Sequence, residues 1–476
     1  MAAAADDVPP SPEAIRGRVL MFPLPFQGHL SPMLQLAGAL RARAGLVVTV
    51  FHAAFDAPDP ASRPPEYRFV AVGEGVPSAD LLPSGSDGDF VGAVLRINDR
   101  LREPFRDRLR QALAESEEDD GGGGGARCLV VDSNLRGMQL VAEELGLPTL
   151  VLRTGAAACL VAYLAFPALC DKGLLPPPSH DKSLLDMPLD ELPPLRLRDM
   201  VFSTTTSHAN MTRCLDDLVA GTRSSSGVVF NTFKELEGPD LRKIAGAIGV
   251  PVYPIGPLHK ISTETSLLAQ DRTCLEWLDR QEAASVLYVS FGTLVSIDEA
   301  ELVETAWGLA GSQVPFLWVV RHDLVRSSSS SSPRHASLLP AGFAEATQGR
   351  GMVVPWAPQH EVLGHRAVGG FWTHSGWNST LESVCEGVPM ICRPRFADQM
   401  VNMRYVQEVW RVGFELEGGL ERGKIEMAVR KLLCGEEGRE MRQRAKDLRD
   451  KADKCIKDEG SSNSAIEMLL KRILSF

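Results

Sequence analysis

The residue types and spacing in the stretch 356–399 best fit a nucleotide-binding site. Its centre predicts a strand over 369–374, a tight turn, and a helix that opens at Asn378 and Ser379. The start of a helix has unpaired main-chain N–H groups and a partial positive charge, so it can bind a phosphate without a lysine. The side chains of Asn378 and Ser379 add donors, and the pattern therefore predicts a phosphate group at this turn.

Side chains on either side of this helix start could bind the other parts of a nucleotide sugar, which are the base, the ribose and the sugar. Upstream, Trp356 offers a flat face on which a base can stack. Glu382, one turn into the helix, can accept hydrogen bonds from both hydroxyls of a ribose. After the next predicted strand, Asp398 and Gln399 supply acceptors and a donor suited to the hydroxyls of a sugar. One stretch thus provides for base, ribose, phosphate and sugar.

His29 and Asp132 are candidates for acid–base chemistry because each follows or ends a predicted strand. His29 lies in FPLPFQGHLSP, before a first helix that is expected to start with Ser31 as N-cap and Pro32 at its first position. An imidazole there can take a proton from an attacking hydroxyl, because it titrates near neutral pH. Asp132 ends the run CLVVD, and a buried carboxylate needs a partner. From the residues alone, a loop histidine bonded to main chain and an aspartate that caps the next helix stay open.

The stretch 356–399 resembles, over its whole length and without a gap, the donor-binding signature of plant family 1 UDP-glycosyltransferases. The segments FPLPFQGH and VVPWAPQ look most like the branch that contains benzoxazinoid, trichothecene, cytokinin and steviol glucosyltransferases. The resemblance implies that Trp356 stacks on uracil, that Glu382 holds the ribose, and that His374 contacts the diphosphate. The donor contacts that it implies are Trp356, Ala357, Gln359, His374, Trp377, Asn378, Ser379, Glu382, Asp398, Gln399, Thr293 and Thr154.

The same resemblance implies an inverting reaction on UDP-glucose that forms a β-glucoside. His29 would be the general base, and Asp132 would orient it and stabilise the imidazolium. Gln399 is the family's usual mark of a glucose donor, whereas galactose users often carry His there. No metal is expected, and no cofactor besides the donor substrate. The sequence departs from the family pattern at Ser375, commonly Cys, and at 395–397, where many members read Gln-Trp-Thr.

Strand and helix patterns alternate along most of the chain, which predicts βα units on parallel sheets. The resemblance implies the GT-B fold, an α/β architecture in which two Rossmann-like domains with parallel sheets face a cleft. Ligands are expected at the carboxyl ends of the strands. The expected segments are a disordered tail 1–16, an acceptor-binding domain 17–253, a linker 254–273, a UDP-sugar-binding domain 274–457, and a helix 458–476 that packs back on the first domain.

Composition and charge argue against several other classes of protein. The net charge of −11 disfavours nucleic acid or an anionic membrane as the main partner, since both require a basic surface. Nine cysteines without CxxC pairs fit a reducing compartment. The N-terminal residues do not resemble a signal peptide, and the apolar run 155–170 is shorter than the roughly 20 residues of a membrane span. We expect a cytoplasmic protein that acts as a monomer.

The acceptor is expected to be a small, largely apolar plant metabolite, hormone or toxin that carries a hydroxyl group. Aliphatic and aromatic residues imply this character, and those predicted to contact it are Leu160, Tyr163, Leu164 and Met200. Two alternatives stay open, a UDP-sugar-binding protein without turnover and a transferase for another UDP-sugar.

Other patterns carry less chemistry. A zinc-protease helix is disfavoured because His360 and His365 are five residues apart and cannot share a helix face. The glycine run 121–125 and the serine run 327–332 indicate surface loops to which no function is assigned.

Overall fold

The computed structural model describes residues 17–57, 66–82, 88–118, 125–177, 182–262, 270–321, 324 and 339–476. Several predicted segments lie outside these described residues. They are the tail 1–16, most of the glycine run 121–125, the serine run 327–332, and the central part of the predicted linker 254–273.

The first half of the chain forms a parallel sheet of seven strands. They are β1 (Arg18–Phe22), β2 (Val47–Ala53), β3 (Tyr67–Val72), β4 (Ala126–Asp132), β5 (Thr149–Arg153), β6 (Val228–Phe230) and β7 (Val252–Pro254). Their order in the sheet is β3-β2-β1-β4-β5-β6-β7, and all neighbouring pairs are parallel. Successive strands are therefore added on one side of β1 up to β3 and on its other side from β4 onwards. In open α/β sheets, ligands bind at the carboxyl ends of the strands beside such a reversal of strand order.

The second half forms a parallel sheet of six strands. They are β8 (Val286–Ser290), β9 (Phe316–Val319), β10 (Gly351–Val354), β11 (Val368–Thr373), β12 (Met390–Cys392) and β13 (Gly413–Glu415). The order is β10-β9-β8-β11-β12-β13, with a change of direction between β8 and β11. Strand β13 was not predicted. The two parallel sheets confirm the expected α/β class.

Sixteen α-helices are present among the described residues, and most cover the faces of the two sheets. They are α1 (Gln27–Ala44), α2 (Phe90–Glu118), α3 (Arg136–Glu144), α4 (Ala157–Asp171), α5 (His208–Ser224), α6 (Lys234–Ile248), α7 (Leu258–Ile261), α8 (Thr273–Asp279), α9 (Glu299–Ser312), α10 (Phe343–Ala346), α11 (Gln359–Leu363), α12 (Trp377–Glu386), α13 (Gln399–Arg404), α14 (Arg422–Leu433), α15 (Glu436–Cys455) and α16 (Ser461–Leu474). A search of the described chain for a helix with the length and apolarity of a membrane span finds none.

The first helix begins earlier than the sequence predicts, and the assignment of Ser31 as its N-cap is wrong. Helix α1 starts at Gln27 after Phe26, whose extended backbone ends the loop without a side-chain cap. Pro32 lies inside the helix, where its missing N–H leaves the main-chain carbonyl four residues earlier without its helical donor. His29 consequently lies in the first turn of α1.

Packing joins the first sheet to the end of the chain and the two halves to each other. Helix α16 places Ile466, Leu469 and Ile473 in one hydrophobic core with residues of β1, β2, β4 and α1. A buried ion pair between Arg404 of α13 and Asp199, with 3.0 Å between Nε and Oδ2, connects the second half to the first. Ligand-binding side chains from both sheets can therefore meet in one cleft.

Candidate active site

A cavity of about 370 Å³ lies between the two halves, at the carboxyl ends of both sheets. Its lining includes His29 and all twelve residues that were predicted to contact the donor. Those twelve come from loops and helix starts that follow five different strands, and the parallel order of each sheet brings these ends to one edge. The predicted donor set is thus gathered in one place.

His29 is held by two polar groups of the first half. Its Nδ1 lies 2.7 Å from Oδ2 of Asp132 and 2.9 Å from Oγ1 of Thr154. Asp132 ends β4, which pairs with β1, so the strand register sets the carboxylate beside the turn that follows β1. Because an ionised carboxylate only accepts hydrogen bonds, Nδ1 carries the proton. The other ring nitrogen, Nε2, is then free of a proton.

Asp132 is fully buried yet ionised. Burial opposes its charge, but the proximity of His29 and hydrogen bonds from His29 and Asn134 lower the pKa of the Asp132 carboxyl. Asn134 donates from its main-chain N and from Nδ2 to Oδ1, at 2.9 and 3.0 Å. The hydrogen bonds from His29 and Asn134 are therefore all directed at the negative form of the Asp132 carboxylate.

Glu382 and Gln359 form the part of the cavity that was predicted to hold the ribose. Gln359 Nε2 donates to Oε2 of Glu382 at 2.7 Å and to Oγ of Ser379 at 2.9 Å. Burial raises the pKa of Glu382 to about 7, although the bond from Gln359 opposes this. A buried carboxylate with so few donors requires further ones. The two hydroxyls of a ribose would supply them, beside the half-buried ring of Trp356.

The N-terminus of α12 faces the same cavity. The helix begins at Trp377 with Gly376 as N-cap and has no side-chain cap, so its first N–H groups remain available. His374 is partly buried beside it, and the resulting loss of solvent together with the nearby Arg321 lowers the pKa of His374 to about 4. Nδ1 of its neutral ring has no hydrogen-bond partner among the residues that the structure describes. Ser375 adopts a left-handed backbone with a φ of 66°, which forms the turn before the helix.

Two features that the sequence did not reveal lie close to His374 and the N-terminus of α12. Gly292 has a φ of +68°, and a Cβ on it would lie 2.6 Å from the ring of His374, so only glycine permits the close approach. Arg321 donates to the main-chain oxygens of Thr293 and Val295 at 2.6 and 2.5 Å. It places a positive charge behind the loop that carries Thr293. The sequence signal for Arg321 was its position as the last residue of the otherwise apolar run FLWVVR.

Asp398 and Gln399 lie at the start of α13, next to the His29 side of the cavity. Oε1 of Gln399 accepts from the main-chain N–H groups of Arg395 and Phe396, at 2.8 and 3.3 Å. Its Nε2 remains available as a donor. Asp398 is partly buried, and the loss of solvent around its carboxyl raises the pKa of that group. Its Oδ2 accepts from Nδ2 of Asn402 at 3.0 Å.

Only one of the four predicted acceptor contacts lines the cavity. Tyr163 does, whereas Leu160 and Met200 are buried in hydrophobic cores with 0% and 1% exposure. Leu164 packs against the core that contains Leu160. Leu160 and Met200 do not line the cavity as predicted, because Leu160 lies on a face of α4 that packs internally, and Met200, at the end of the short turn Leu197–Met200, is buried in a different hydrophobic core. The aromatic residues that do line this region, apart from Tyr163, are Phe26, Phe90 and Phe396.

Arg153 is a further cavity residue that the sequence did not identify. It is 4% exposed, and Nη1 donates to Oγ of Ser133 at 3.0 Å. The guanidinium carbon lies 5.5 Å from the ring centroid of Tyr163, and Nε is buried without a partner. A lone arginine at the end of an apolar strand was the available signal. Arg153 adds a fixed positive charge between the ring of Tyr163 and the carboxylate of Asp398.

Comparisons with known proteins agree with this geometry. Residues 253–445 match the family model described as UDP-glucoronosyl and UDP-glucosyl transferase. DIMBOA UDP-glucosyltransferase BX8 of Zea mays is 45% identical over 456 residues, which cover 94% of this chain and 96% of that protein.

Solved structures of the same class superpose over nearly the whole chain. UGT2 of Phytolacca americana, complexed with UDP-2fluoro-glucose and pterostilbene, has a TM-score of 0.78 at 28% identity and covers 96% of this chain and 99% of its own. A UDP-glucosyltransferase from Polygonum tinctorium capable of glucosylating indoxyl has a TM-score of 0.79 at 30% identity, with 98% and 100% covered. The predicted GT-B fold is confirmed. The chain belongs to the UDP-glucoronosyl and UDP-glucosyl transferase family, and it is a plant UDP-glycosyltransferase.

Proposed function

We propose that this enzyme is an inverting O-glucosyltransferase that moves glucose from UDP-glucose to a hydroxyl of a small, largely apolar molecule. The observation that carries the proposal is the contact between His29 and Asp132, in the same cavity as the complete set of predicted donor residues. A protein that only stored a UDP-sugar would not need a buried aspartate to hold a histidine at that place. The half that contains the first sheet would bind the acceptor, and the other half the donor.

The reaction is a single displacement. The acceptor oxygen attacks the anomeric carbon from the side opposite UDP, its proton passes to Nε2 of His29, and the bond from that carbon to the diphosphate oxygen breaks with its electron pair. Asp132 stabilises the imidazolium that forms. The N–H groups at the start of α12, with Asn378 and Ser379, receive the charge that develops on UDP. No covalent intermediate with the enzyme forms, so the product is a β-glucoside.

The acceptor should combine an apolar body with a polar group near its hydroxyl. Phe26, Phe90 and Tyr163 provide an aromatic wall, and Arg153 provides a cation beside it. The similar proteins point to the same kind of molecule, since their names and complexes mention DIMBOA, indoxyl and pterostilbene. We expect the enzyme to act on this class as a monomer and without a metal.

Incubation with UDP-glucose and a panel of such acceptors tests the proposal. Mass spectrometry should show addition of one hexose, and the proton coupling at the anomeric carbon should show the β configuration. The matched control is Asp132→Asn, which keeps the size of the side chain but removes its charge, and it should form far less product. A panel that yields no hexose adduct while UDP-glucose still binds would favour a binding protein. Faster turnover with another UDP-sugar would reassign the donor.

A further inference from the structure

A second cluster of potential ligands lies at the nucleotide end of the cavity and has no part in the proposed reaction. His259 of α7, His360 of α11 and Glu386 of α12 each offer one ligand atom, and these three atoms lie within 4.8 Å of one another. The two imidazole rings are 5.0 Å apart between centroids, at an interplanar angle of 66°. Three elements that are distant in sequence thus converge on one point.

Both imidazoles lack the partners that buried polar groups normally have. Nε2 of His259 and Nε2 of His360 are each buried and make no hydrogen bond within the described chain, although Nε2 of His360 lies 3.6 Å from Oε1 of Glu386. Leaving such a nitrogen unpartnered costs free energy, and two side by side are unusual. An imidazole nitrogen that carries no proton and makes no hydrogen bond has a lone pair that it can offer to a cation.

We propose that His259, His360 and Glu386 form a binding site for a transition-metal ion of the Zn²⁺ type. Two imidazoles and one carboxylate are a ligand set that Zn²⁺ accepts, with a fourth position left for water. Imidazole nitrogens select such ions against Mg²⁺ and Ca²⁺, which prefer oxygen ligands. The neighbouring ligand atoms of a tetrahedral zinc site are about 3.3 Å apart. The side chains would therefore close by roughly 1.5 Å around the ion.

Lys260 sets how tightly such an ion can bind. Its ammonium lies 3.1 Å from Oε1 of Glu386 and 2.9 Å from Oδ1 of Asp453. The ammonium keeps its pair with Asp453 if Glu386 turns to a metal, but it competes for the same carboxylate. The site is consequently one for a reversibly bound ion.

The position of the cluster gives a bound ion a structural consequence. His259 lies on α7, which contacts α1 in the first half, whereas His360 and Glu386 belong to the second half. His360 also directly follows Gln359, the residue that holds Glu382. An ion would therefore join the two halves next to the nucleotide pocket. This site is distinct from the discarded protease pattern, because His365 bonds instead to Asp279, with 3.2 Å between Nε2 and Oδ1.

Titration of the chelator-treated, dialysed protein with Co²⁺ alone, followed by visible spectroscopy, tests the site. We expect one equivalent to give d–d bands without the near-ultraviolet charge-transfer band of a cobalt thiolate, and Zn²⁺ to displace it. His360→Gln and His259→Gln should each weaken binding at least about tenfold. His365→Gln is the matched control and should bind as the wild type does. The His360 side chain is 40% exposed, so its variant should fold, which UDP affinity checks.

Three outcomes would overturn the proposal. They are no stoichiometric binding by the wild type, unchanged binding in the two variants, or a thiolate band, which would move the ion to a cysteine such as Cys170 beside His208. Lys260→Met tests the carboxylate separately. Removal of the competing ammonium should tighten Co²⁺ binding, and unchanged or weaker binding would exclude Glu386 as a ligand.

Discussion

Asn378 donates a hydrogen bond from Nδ2 to the main-chain carbonyl of Gly28, over 2.8 Å. That carbonyl is available because Pro32, four residues further along α1, has no N–H to give it. The bond joins the phosphate end of α12 in the second half to the turn of α1 that carries His29 in the first. The element proposed to hold the diphosphate and the element proposed to hold the base are thus in direct contact.

The Asn378 contact should depend on the proline. Asn378→Ala should lower the free energy of unfolding by ~0.5–1.5 kcal/mol, because the Gly28 carbonyl loses its donor. The same change in a Pro32→Ala background should cost less, since the restored main-chain N–H pairs with that carbonyl inside the helix. Urea unfolding of the four proteins of this cycle measures the coupling. Equal costs in both backgrounds would show that the two features are independent.

His29 and Asp132 should behave as one unit in catalysis. His29→Ala should reduce turnover by roughly 10²- to 10⁴-fold, because the attacking hydroxyl loses its base, with UDP affinity retained. Asp132→Ala should cost much less in the His29→Ala background than alone, because Asp132 acts through the imidazole. Single-turnover rates and calorimetric UDP affinities of the four proteins decide this. Additive losses would contradict a role for Asp132 through His29.

The residues proposed to bind the donor were easier to group from the sequence than those proposed to face the acceptor, and the reason is physical. The chemistry of the stretch 356–399 depends on a strand, a turn and a helix start that are continuous in sequence. The aromatic wall proposed to face the acceptor instead combines Phe26, Phe90 and Tyr163 from separate elements. No local pattern reveals such a combination, and α4 is apolar on all sides, so its sequence does not indicate which face meets the cavity.

The parallel α/β architecture followed from the alternating patterns, but some element boundaries did not. Helix α1 starts at Gln27 without a polar capping side chain, so the usual sequence signal is absent there. Its Gly28 carbonyl is satisfied by Asn378, which is 350 residues away in the chain. The short strand β13 likewise exists because β12 pairs with it, and tertiary contacts of this kind leave little trace in a local pattern.

Glu382 should make the stability of the ligand-free enzyme depend on pH. Burial raises its pKa to about 7, so the native state binds a proton that the unfolded state has lost above its own pKa of about 4.5. The stability associated with this proton is present below pH 4.5 and is lost as the pH rises through 7. Glu382→Gln removes this titrating group. The free energy of unfolding of the variant should therefore rise relative to that of the wild type, by up to ~3 kcal/mol, as the pH increases from 5 to 8.

Melting temperatures of both proteins at pH 5 and pH 8, without UDP, measure this difference. Glu237 also has a pKa that burial raises to about 7, but it is present in both proteins and its contribution cancels. A difference in stability that stays constant over this range would show that Glu382 does not have the raised pKa.

Turnover should survive an excess of chelator. The N–H groups at the start of α12, the neutral His374 and the positive charge of Arg321 replace the divalent cation that a diphosphate leaving group often needs. Steady-state rates with and without chelator, and after addition of Mg²⁺ or Mn²⁺, provide the measurement. A rate that chelation abolishes and Mg²⁺ restores would contradict the proposed phosphate site.

The side chain of Gln399 has two proposed roles, which are to order the loop before α13 and to contact the sugar of the donor. Oε1 of Gln399 holds the N–H groups of Arg395 and Phe396, and only Nε2 remains to donate to a sugar hydroxyl. Gln399→Ala should leave the affinity for free UDP unchanged, because the uridine contacts proposed for Trp356 and Glu382 lie elsewhere in the cavity. Its kcat/KM for UDP-glucose should fall about tenfold or more, and the preference for glucose over galactose should narrow.

Gln399→Glu is the matched variant, because it keeps an acceptor for the two loop N–H groups but lacks the donor. If the loss arises from the missing sugar contact, this variant should be as impaired with UDP-glucose as Gln399→Ala. Recovery of activity in Gln399→Glu would instead assign the effect to the order of the loop. Calorimetry with UDP, beside donor kinetics, covers both variants and Glu382→Ala. Should Gln399→Ala weaken free UDP as much as Glu382→Ala does, Gln399 does not contact the sugar, and the glucose assignment loses its physical basis.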